Sequence, residues 1–402
     1  MAFGFWLLAV SFWPKSNVQY PIPNTQYPIT NNQKNMSEKV NDNNKDSGNG
    51  REDKLPQGSL TDIASLGEFG LIDRLTENIR IYHKETIKGV GDDTAVLGSG
   101  DMLSLVTKDL LVEGIHFDMI YTPLRHLGYK AVAVNLSDIY AMNGMPMQII
   151  VGLAISSKYT LEALEELYEG MLLACDKFKV DMAGGDTTSS PHGMTLSITA
   201  IGQVHKDKLT YRSGASVNDI LCVSGDLGAA YCGLLVLERE KAVYKANPEM
   251  QPAIGDYGYV LERQLKPEPR RDIVEMLDKA GVVPTSMIDV SDGLASETLH
   301  LCKHSQLGAT LFEDKIPVDR RMAQVAHEFQ IDPTTAALSG GEDYELLFTV
   351  KPSDYEKIKD QPMISPVGFM TEKALGAQLI TASGQQVKLR AQGWDALRRR
   401  EQ

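Results

Sequence analysis

Apolar and polar positions fall in blocks along most of this chain, and the blocks change period. Residues 103–106 form a short apolar strand pattern that ends in Thr107-Lys108-Asp109. Residues 129–142 carry apolar side chains at helical spacing, and 148–155 are a continuous apolar run of the buried-strand kind. Over 161–178, Leu161, Leu164, Tyr168, Met171, Leu172 and Cys175 recur on one helical face, with Thr160 placed to cap it. Residues 194–204 read as another strand. After Arg212-Ser213-Gly214 the alternation resumes, with strand 219–224, helix 228–240, a turn at Pro267 and Pro269, helix 270–280, strand 286–290, a helix from Leu294 and strand 346–350. Such alternation predicts an α/β (α+β) fold in two mixed α/β domains, over 60–205 and 206–395.

The first 55 residues do not share the pattern. An apolar stretch from Met1 to Trp13 is far shorter than the roughly 20 residues a membrane helix needs. It lacks a basic leading region and a small-residue cleavage site, so it does not read as a signal peptide. A near-repeat follows, Gln19-Tyr20-Pro21-Ile22 and Gln26-Tyr27-Pro28-Ile29, and then a polar run with no periodicity. Such composition does not bury enough apolar area to offset chain entropy, so 1–55 is expected to be disordered. Met36 is the expected natural start, with 1–35 an over-called extension.

Composition narrows the function classes. The 402 residues hold 53 Asp plus Glu against 40 Lys plus Arg, a formal charge of −13, which excludes a general nucleic-acid binder. Cys175, Cys222, Cys232 and Cys302 form no CxxC pair, so they read as free thiols in a reducing, cytoplasmic setting. The acids cluster in small-residue segments: Gly91-Asp92-Asp93, Thr107-Lys108-Asp109, Gly184-Gly185-Asp186, Asp289-Val290-Ser291-Asp292-Gly293 and Gly340-Gly341-Glu342-Asp343 are expected to be turns, and Asn135-Leu136-Ser137-Asp138 lies in the expected helix, with Asn135 one turn before Asp138. Any one Gly-Asp is a common turn; six together suggest oxygen-only ligands for a hard cation such as Mg²⁺, with substrate phosphates completing its shell. There is no P-loop, no G-x-G-x-x-G after a strand, no H-E-x-x-H and no G-x-S-x-G. Ser224-Gly225-Asp226-Leu227-Gly228-Ala229-Ala230 marks a strand–turn–helix junction that could hold phosphate or simply pack tightly.

Taken in order, these segments resemble the thiamine-monophosphate kinase family, together with Gly67-Glu68-Phe69, Val112-Glu113-Gly114-Ile115-His116-Phe117 and Gly341-Glu342-Asp343-Tyr344-Glu345-Leu346. The resemblance covers about residues 65–395. The wider superfamily, with aminoimidazole ribonucleotide synthetase, selenophosphate synthetase and a hydrogenase maturation factor, shares the acidic segments.

The resemblance implies ATP-dependent phosphorylation of thiamine monophosphate to thiamine diphosphate. It also implies a homodimer whose N-terminal domains join strands into a shared barrel. By motif match, Asp93, Thr107, Asp109, Asp138, Asp186, Asp289 and Asp292 would hold several Mg²⁺ ions, with Asp92 beside them; Asp138, Asp186 and Asp289 would be catalytic. ATP would meet Gly185, Asp186, Arg212, Ser291 and Tyr168, and thiamine phosphate His116, Glu342 and Trp394. Lys108 departs from the family's usual hydroxyl residue before the Asp of that segment, and Gly393-Trp394-Asp395 matches its usual ending. The substrate's own phosphate oxygen would be the nucleophile, which suits a chain rich in acids and poor in triads. Another ATP-using superfamily enzyme and a non-catalytic nucleotide-binding regulator are the alternatives. No nucleic acid or membrane partner is expected.

Overall fold

The computed structural model describes residues 66–391. The expected tail, Met36 and Trp394 therefore lie outside the described residues. Contacts divide the chain into units 1–60 and 61–402, and all that follows concerns the second.

A six-stranded sheet comes first. It holds β1 (Thr86–Lys88), β2 (Ala95–Leu97), β3 (Met102–Val112), β4 (Met145–Ile155), β5 (Asp181–Ser189) and β6 (Met194–His205) in the order β1-β2-β3-β6-β4-β5. All neighbours are antiparallel except β4 and β5. Along β6, buried residues alternate with partly exposed ones, the mark of a sheet covered on one face. Helices α2 (Leu124–Ala141) and α3 (Leu161–Phe178) pack together beside it, with α2 against β3, β4 and β6. Helix α1 (Gly67–Thr76) precedes β1.

Where α2 meets α3, backbone touches backbone. A Cβ on Gly128 would lie 2.0 Å from the Leu167 carbonyl oxygen, and one on Gly170 1.9 Å from that of Arg125, so only glycine permits this approach. The approach also sets which face of α3 is buried. That face carries Leu167, Gly170, Met171, Ala174, Cys175 and Phe178, while Leu161 and Leu172 of the expected stripe are exposed. The Thr160 cap is present, accepting from the Ala163 N–H at 3.3 Å.

The second sheet has seven strands, β7 (Ile220–Ser224), β8 (Ser286–Asp289), β9 (Gly308–Phe312), β10 (Leu346–Val350), β11 (Ile364–Thr371), β12 (Ala377–Ile380) and β13 (Gln386–Lys388). Their order is β13-β12-β9-β11-β7-β10-β8, with only β9 and β12 parallel. Both faces of its centre are buried, so β10 is buried at every position and apolar at all but Thr349. Cys222, Met287 and Phe348 join the core of the first sheet, whereas Leu221, Val223, Ile288 and Leu347 pack toward α7 (Leu294–Ser305). A third cluster lies among α4 (Ala229–Ala246), α5 (Gly258–Leu265), α8 (Arg320–Glu328) and α9 (Pro333–Ser339). Helix α6 (Arg271–Lys279) contributes Ile273, Val274 and Leu277 to the first core.

Two of the expected acidic turns are strand. Thr107-Lys108-Asp109 lies inside β3, which runs on to Val112. Gly184-Gly185-Asp186 lies inside β5, paired in parallel with β4. There a Cβ on Gly185 would meet the Val151 carbonyl oxygen at 2.2 Å, so the glycine serves close approach rather than a turn. The four cysteines are free and buried. Among the described residues no helix is long and apolar enough to cross a membrane.

Candidate active site

The strand assignment of 107–109 changes how its side chains point. Successive residues of a strand face opposite sides, so buried Thr107 and half-buried Asp109 turn inward while Lys108 is exposed. Inward of them lies α2, whose Asp138 accepts a hydrogen bond from Thr107 Oγ1 at 2.5 Å. Asn135, one turn earlier, accepts from the Asp109 backbone N–H at 3.0 Å. Its own Nδ2 donates to the Ala131 carbonyl at 3.0 Å. The last residue of β8, Asp289, accepts from Ser137 Oγ at 2.6 Å. Asp93, from the segment between β1 and β2, completes the group. Carboxylate oxygens of Asp93, Asp138 and Asp289 all lie within 4.8 Å of one another.

Charges this close oppose one another. At an effective dielectric near 20, two carboxylates 4.8 Å apart repel by about 3 kcal/mol. Burial, with Asp109, Asp289 and Asp93 nearby, pushes the Asp138 carboxyl well above its ordinary range. Burial and then Asp93 carry Asp289 up to about 7, and burial carries Asp109 up to about 6. One cation partly answers: Arg212 Nη2 donates to Asp93 Oδ1 at 2.6 Å, and its backbone N–H donates to Asp92 Oδ1 at 3.0 Å. Asp93 Oδ2 remains buried with no hydrogen-bond partner. A set of oxygen donors at this spacing, with an orphaned carboxylate oxygen among them, fits a hard divalent cation.

The 340–345 segment is tied across the loop after β8. The Glu342 N–H donates to the Ser291 carbonyl at 2.6 Å, the Tyr344 N–H to that of Val290 at 2.9 Å, and the Val290 N–H to that of Glu345 at 2.7 Å. Glu342 and Tyr344 hold φ of 60° and 52°, uncommon for residues other than glycine and a form of strain that recurs at functional sites. Asp292 is linked to α7 through its N–H, which donates to Glu297 Oε1 at 3.1 Å.

A small cavity is lined by His116, Lys130 and Gln264 among others. His116 Nδ1 accepts from the Val112 N–H at 3.0 Å, so in the neutral ring the proton sits on Nε2. The Glu342 carboxylate pairs with Lys130 Nζ at 3.0 Å and accepts from Gln264 Nε2 at 2.6 Å.

Other expected residues are placed differently. Asp186 is exposed and shares a groove with Gly152, Thr188, Thr195 and Ser197, and no described contact joins it or Gly185 to the triad. Tyr168 is half-buried against the first core. The helix N-terminus at Gly228 is occupied by protein. Asp343 accepts from the Gly228 N–H at 2.6 Å and the Ala230 N–H at 3.3 Å, so this junction is capped and packed rather than open to phosphate.

Sequence reading passed over Lys130, Ser137, Gln264 and Glu297. Lys130 had a signal, a lone lysine inside an otherwise apolar helical stretch. Ser137 lay within the Asn135–Asp138 segment. Gln264 had none, because its partner Glu342 is distant in the chain; Glu297 lies outside the acidic segments, five residues beyond its partner Asp292.

Comparison with known proteins gives this geometry a family. The family described as AIR synthase related protein, N-terminal domain, matches residues 91–204. The thiamine-monophosphate kinase of Bacillus subtilis is 31% identical over 336 residues, covering 82% of this chain and 99% of that one. The chain belongs to the thiamine-monophosphate kinase family. The thiamine-monophosphate kinase of Synechococcus elongatus is 34% identical over 326 residues, covering 77% and 90%. A solved structure of AaThiL complexed with AMPPCP and TMP matches with a TM-score of 0.72 at 28% identity, over 84% of this chain and 99% of that one. Hydrogenase maturation protein HypE in complex with ATP, at 18% identity and a TM-score of 0.59 over 81% and 96%, shares the fold.

Proposed function

We propose that the protein transfers the γ-phosphoryl group of ATP to thiamine monophosphate, giving thiamine diphosphate and ADP. The observation that carries this reading is the cluster of buried Asp93 and Asp289 with half-buried Asp138, with its orphaned oxygen, in a chain of this family. An oxygen of the substrate's phosphate forms the new bond to the γ-phosphorus as the β–γ bridging bond breaks and ADP departs. That oxygen is already largely ionised at neutral pH, so no strong general base is needed, and positioning with charge neutralisation carries the step.

Asp93, Asp138 and Asp289, with Thr107, Asp109 and Asp292, are the residues that would hold Mg²⁺, and Asp186 is assigned there by motif. Bound Mg²⁺ supplies neutralisation of the two polyanionic reactants. Gly185, Asp186, Arg212, Ser291 and Tyr168 are assigned to ATP, and Asp138, Asp186 and Asp289 to catalysis. His116 is assigned to the substrate phosphate, Glu342 to the thiazolium charge, and Trp394 to its π face. The domain division at 205/206 is kept as a proposal; the two sheets fall on either side of it, although the largest core crosses it. Partly exposed apolar residues on the outer face of the first sheet, Met147 and Ile150 of β4 among them, support a homodimer that joins these sheets in a barrel. The free thiols support a cytoplasmic setting.

Incubation with ATP, Mg²⁺ and thiamine monophosphate is expected to yield ADP and thiamine diphosphate in equal amounts, and a chelator to stop both. ATP binding without turnover, or ADP formed only with another acceptor, overturns the proposal. Glu342→Gln should raise the KM for thiamine monophosphate about tenfold, the worth of one charge-assisted contact, and leave the KM for ATP within about twofold. A change confined to ATP would reverse the assignment.

A further inference from the structure

Tyr344 holds a backbone conformation that bulky side chains rarely adopt, with φ of 52°. The strain persists because neighbouring bonds over-determine the backbone. The Tyr344 N–H donates to the Val290 carbonyl at 2.9 Å, and the Val290 N–H to that of Glu345 at 2.7 Å, so the residue is fastened beside Asp289, the last residue of β8. On either side, Asp343 is held by the Gly228 and Ala230 N–H groups and Glu345 by two arginines. The ring is half-buried and packs against the first core. Its phenol meets no hydrogen-bond partner among the described residues. Yet acids act on it from several elements. Burial first, and then Glu342, Asp109, Asp289 and Asp292, raise its ionisation well above the ordinary phenol range. At neutral pH the group is therefore an uncharged O–H, set among carboxylates and donating to none of them. Strain of this kind gathers where a side chain has to be aimed at a ligand.

We propose that Tyr344 is a further catalytic residue, whose O–H donates a hydrogen bond to an oxygen of the phosphoryl group in transfer. The inference rests on the kinase reading. Of the four acids that act on the phenol, Asp109, Asp289 and Asp292 are assigned to Mg²⁺ and Glu342 to the substrate, so the phenol lies where the metal-binding acids and the substrate group meet. During transfer, negative charge is spread over the three equatorial phosphoryl oxygens. A neutral donor fixed in advance stabilises that charge without having to reorient. The thiazolium ring, a cation, offers no comparable acceptor. The phenol keeps its proton throughout. The bond that forms is still that from the substrate's phosphate oxygen to phosphorus, and the bond that breaks is the β–γ bridge, with ADP leaving.

Tyr344→Phe removes the O–H and keeps the ring. Its kcat should fall about a hundredfold, with the KM for ATP and for thiamine monophosphate within about threefold of the wild type. Its urea unfolding midpoint should equal that of the wild type, since no partner within the chain is lost. An unchanged kcat overturns the inference. So does a loss of kcat matched by an earlier unfolding midpoint, which would make the phenol structural. A second measurement needs no thiamine compound. Aluminium fluoride bound with Mg²⁺ and ADP mimics the phosphoryl group in transfer, and its complex should be about tenfold weaker in Y344F, while Mg²⁺ and ADP alone bind both proteins equally. Equal binding of the mimic overturns the inference. Weaker binding in Y344F supports it even in a chain that does not phosphorylate thiamine monophosphate, where the kinase reading alone has failed.

Discussion

Asp138→Asn is expected to lower turnover by about a thousandfold or more at saturating Mg²⁺, which corresponds to about 4 kcal/mol of lost transition-state stabilisation. The substitution keeps the size of the side chain and removes one charge from the Asp93–Asp138–Asp289 cluster. It also weakens the acceptor that Thr107 Oγ1 meets at 2.5 Å. A merely structural aspartate would behave differently. Three acids held within 4.8 Å repel one another, so in the absence of divalent cation the variant should melt above the wild type. Added Mg²⁺ should raise the melting temperature of the wild type, by mass action on the folded state, and do little for the variant. Near-normal activity, or an unchanged Mg²⁺ response, would remove Asp138 from the metal site.

The second large effect concerns stability. Glu345 is fully buried, and its carboxylate collects Arg263 Nη1 at 2.9 Å, Arg270 Nη1, and Ser224 Oγ at 2.5 Å. Its backbone carbonyl accepts the Val290 N–H that ties down the metal-site loop. Glu345→Ala takes the shared carboxylate from two largely buried guanidinium groups, leaving Arg263 with the Asp226 carbonyl at 2.9 Å and Arg270 with Asp272 at 2.7 Å. Breaking a buried ion pair from one side costs about 3–5 kcal/mol. The variant should therefore unfold at clearly lower urea. An unfolding midpoint equal to that of the wild type would show that the arginines find other partners. The same network explains why the 341–346 motif is so acidic: Glu342 pairs with Lys130 of the candidate substrate cavity, Asp343 caps α4, and Glu345 anchors two arginines.

Much of the fold was legible along the chain. Helix α3 begins where Thr160 caps it, and β10 runs through 346–350, mostly apolar, because both sheet faces are buried there. Legibility failed where an element's identity comes from its neighbour. Strand β5 is exposed, and its Gly-Gly-Asp run has no apolar period; pairing with β4 makes it a strand. Strand β3 continues through Lys108 and Asp109 because β6 pairs with it throughout. The buried stripe of α3 was misjudged at Leu161 and Leu172, since two glycines at the crossing, rather than the largest side chains, decide which face meets α2.

By itself the order of acidic segments determined the family, the reaction class and the residue types that serve it, because those are properties of short stretches of chain. Which acids converge was decided only by the tertiary structure. It gathered Asp93, Asp138 and Asp289 through the packing of α2 against β3 and β8, and left Asp186 apart on an edge strand. It also closed the phosphate-ready helix end with Asp343 and left the Gln264 side-chain oxygen, Oε1, without a partner. The physical reason is common to all of these. A carboxylate, a helix terminus or an amide is defined chemically by its residue, but its charge state, partners and availability are set by groups that only folding brings within hydrogen-bond distance.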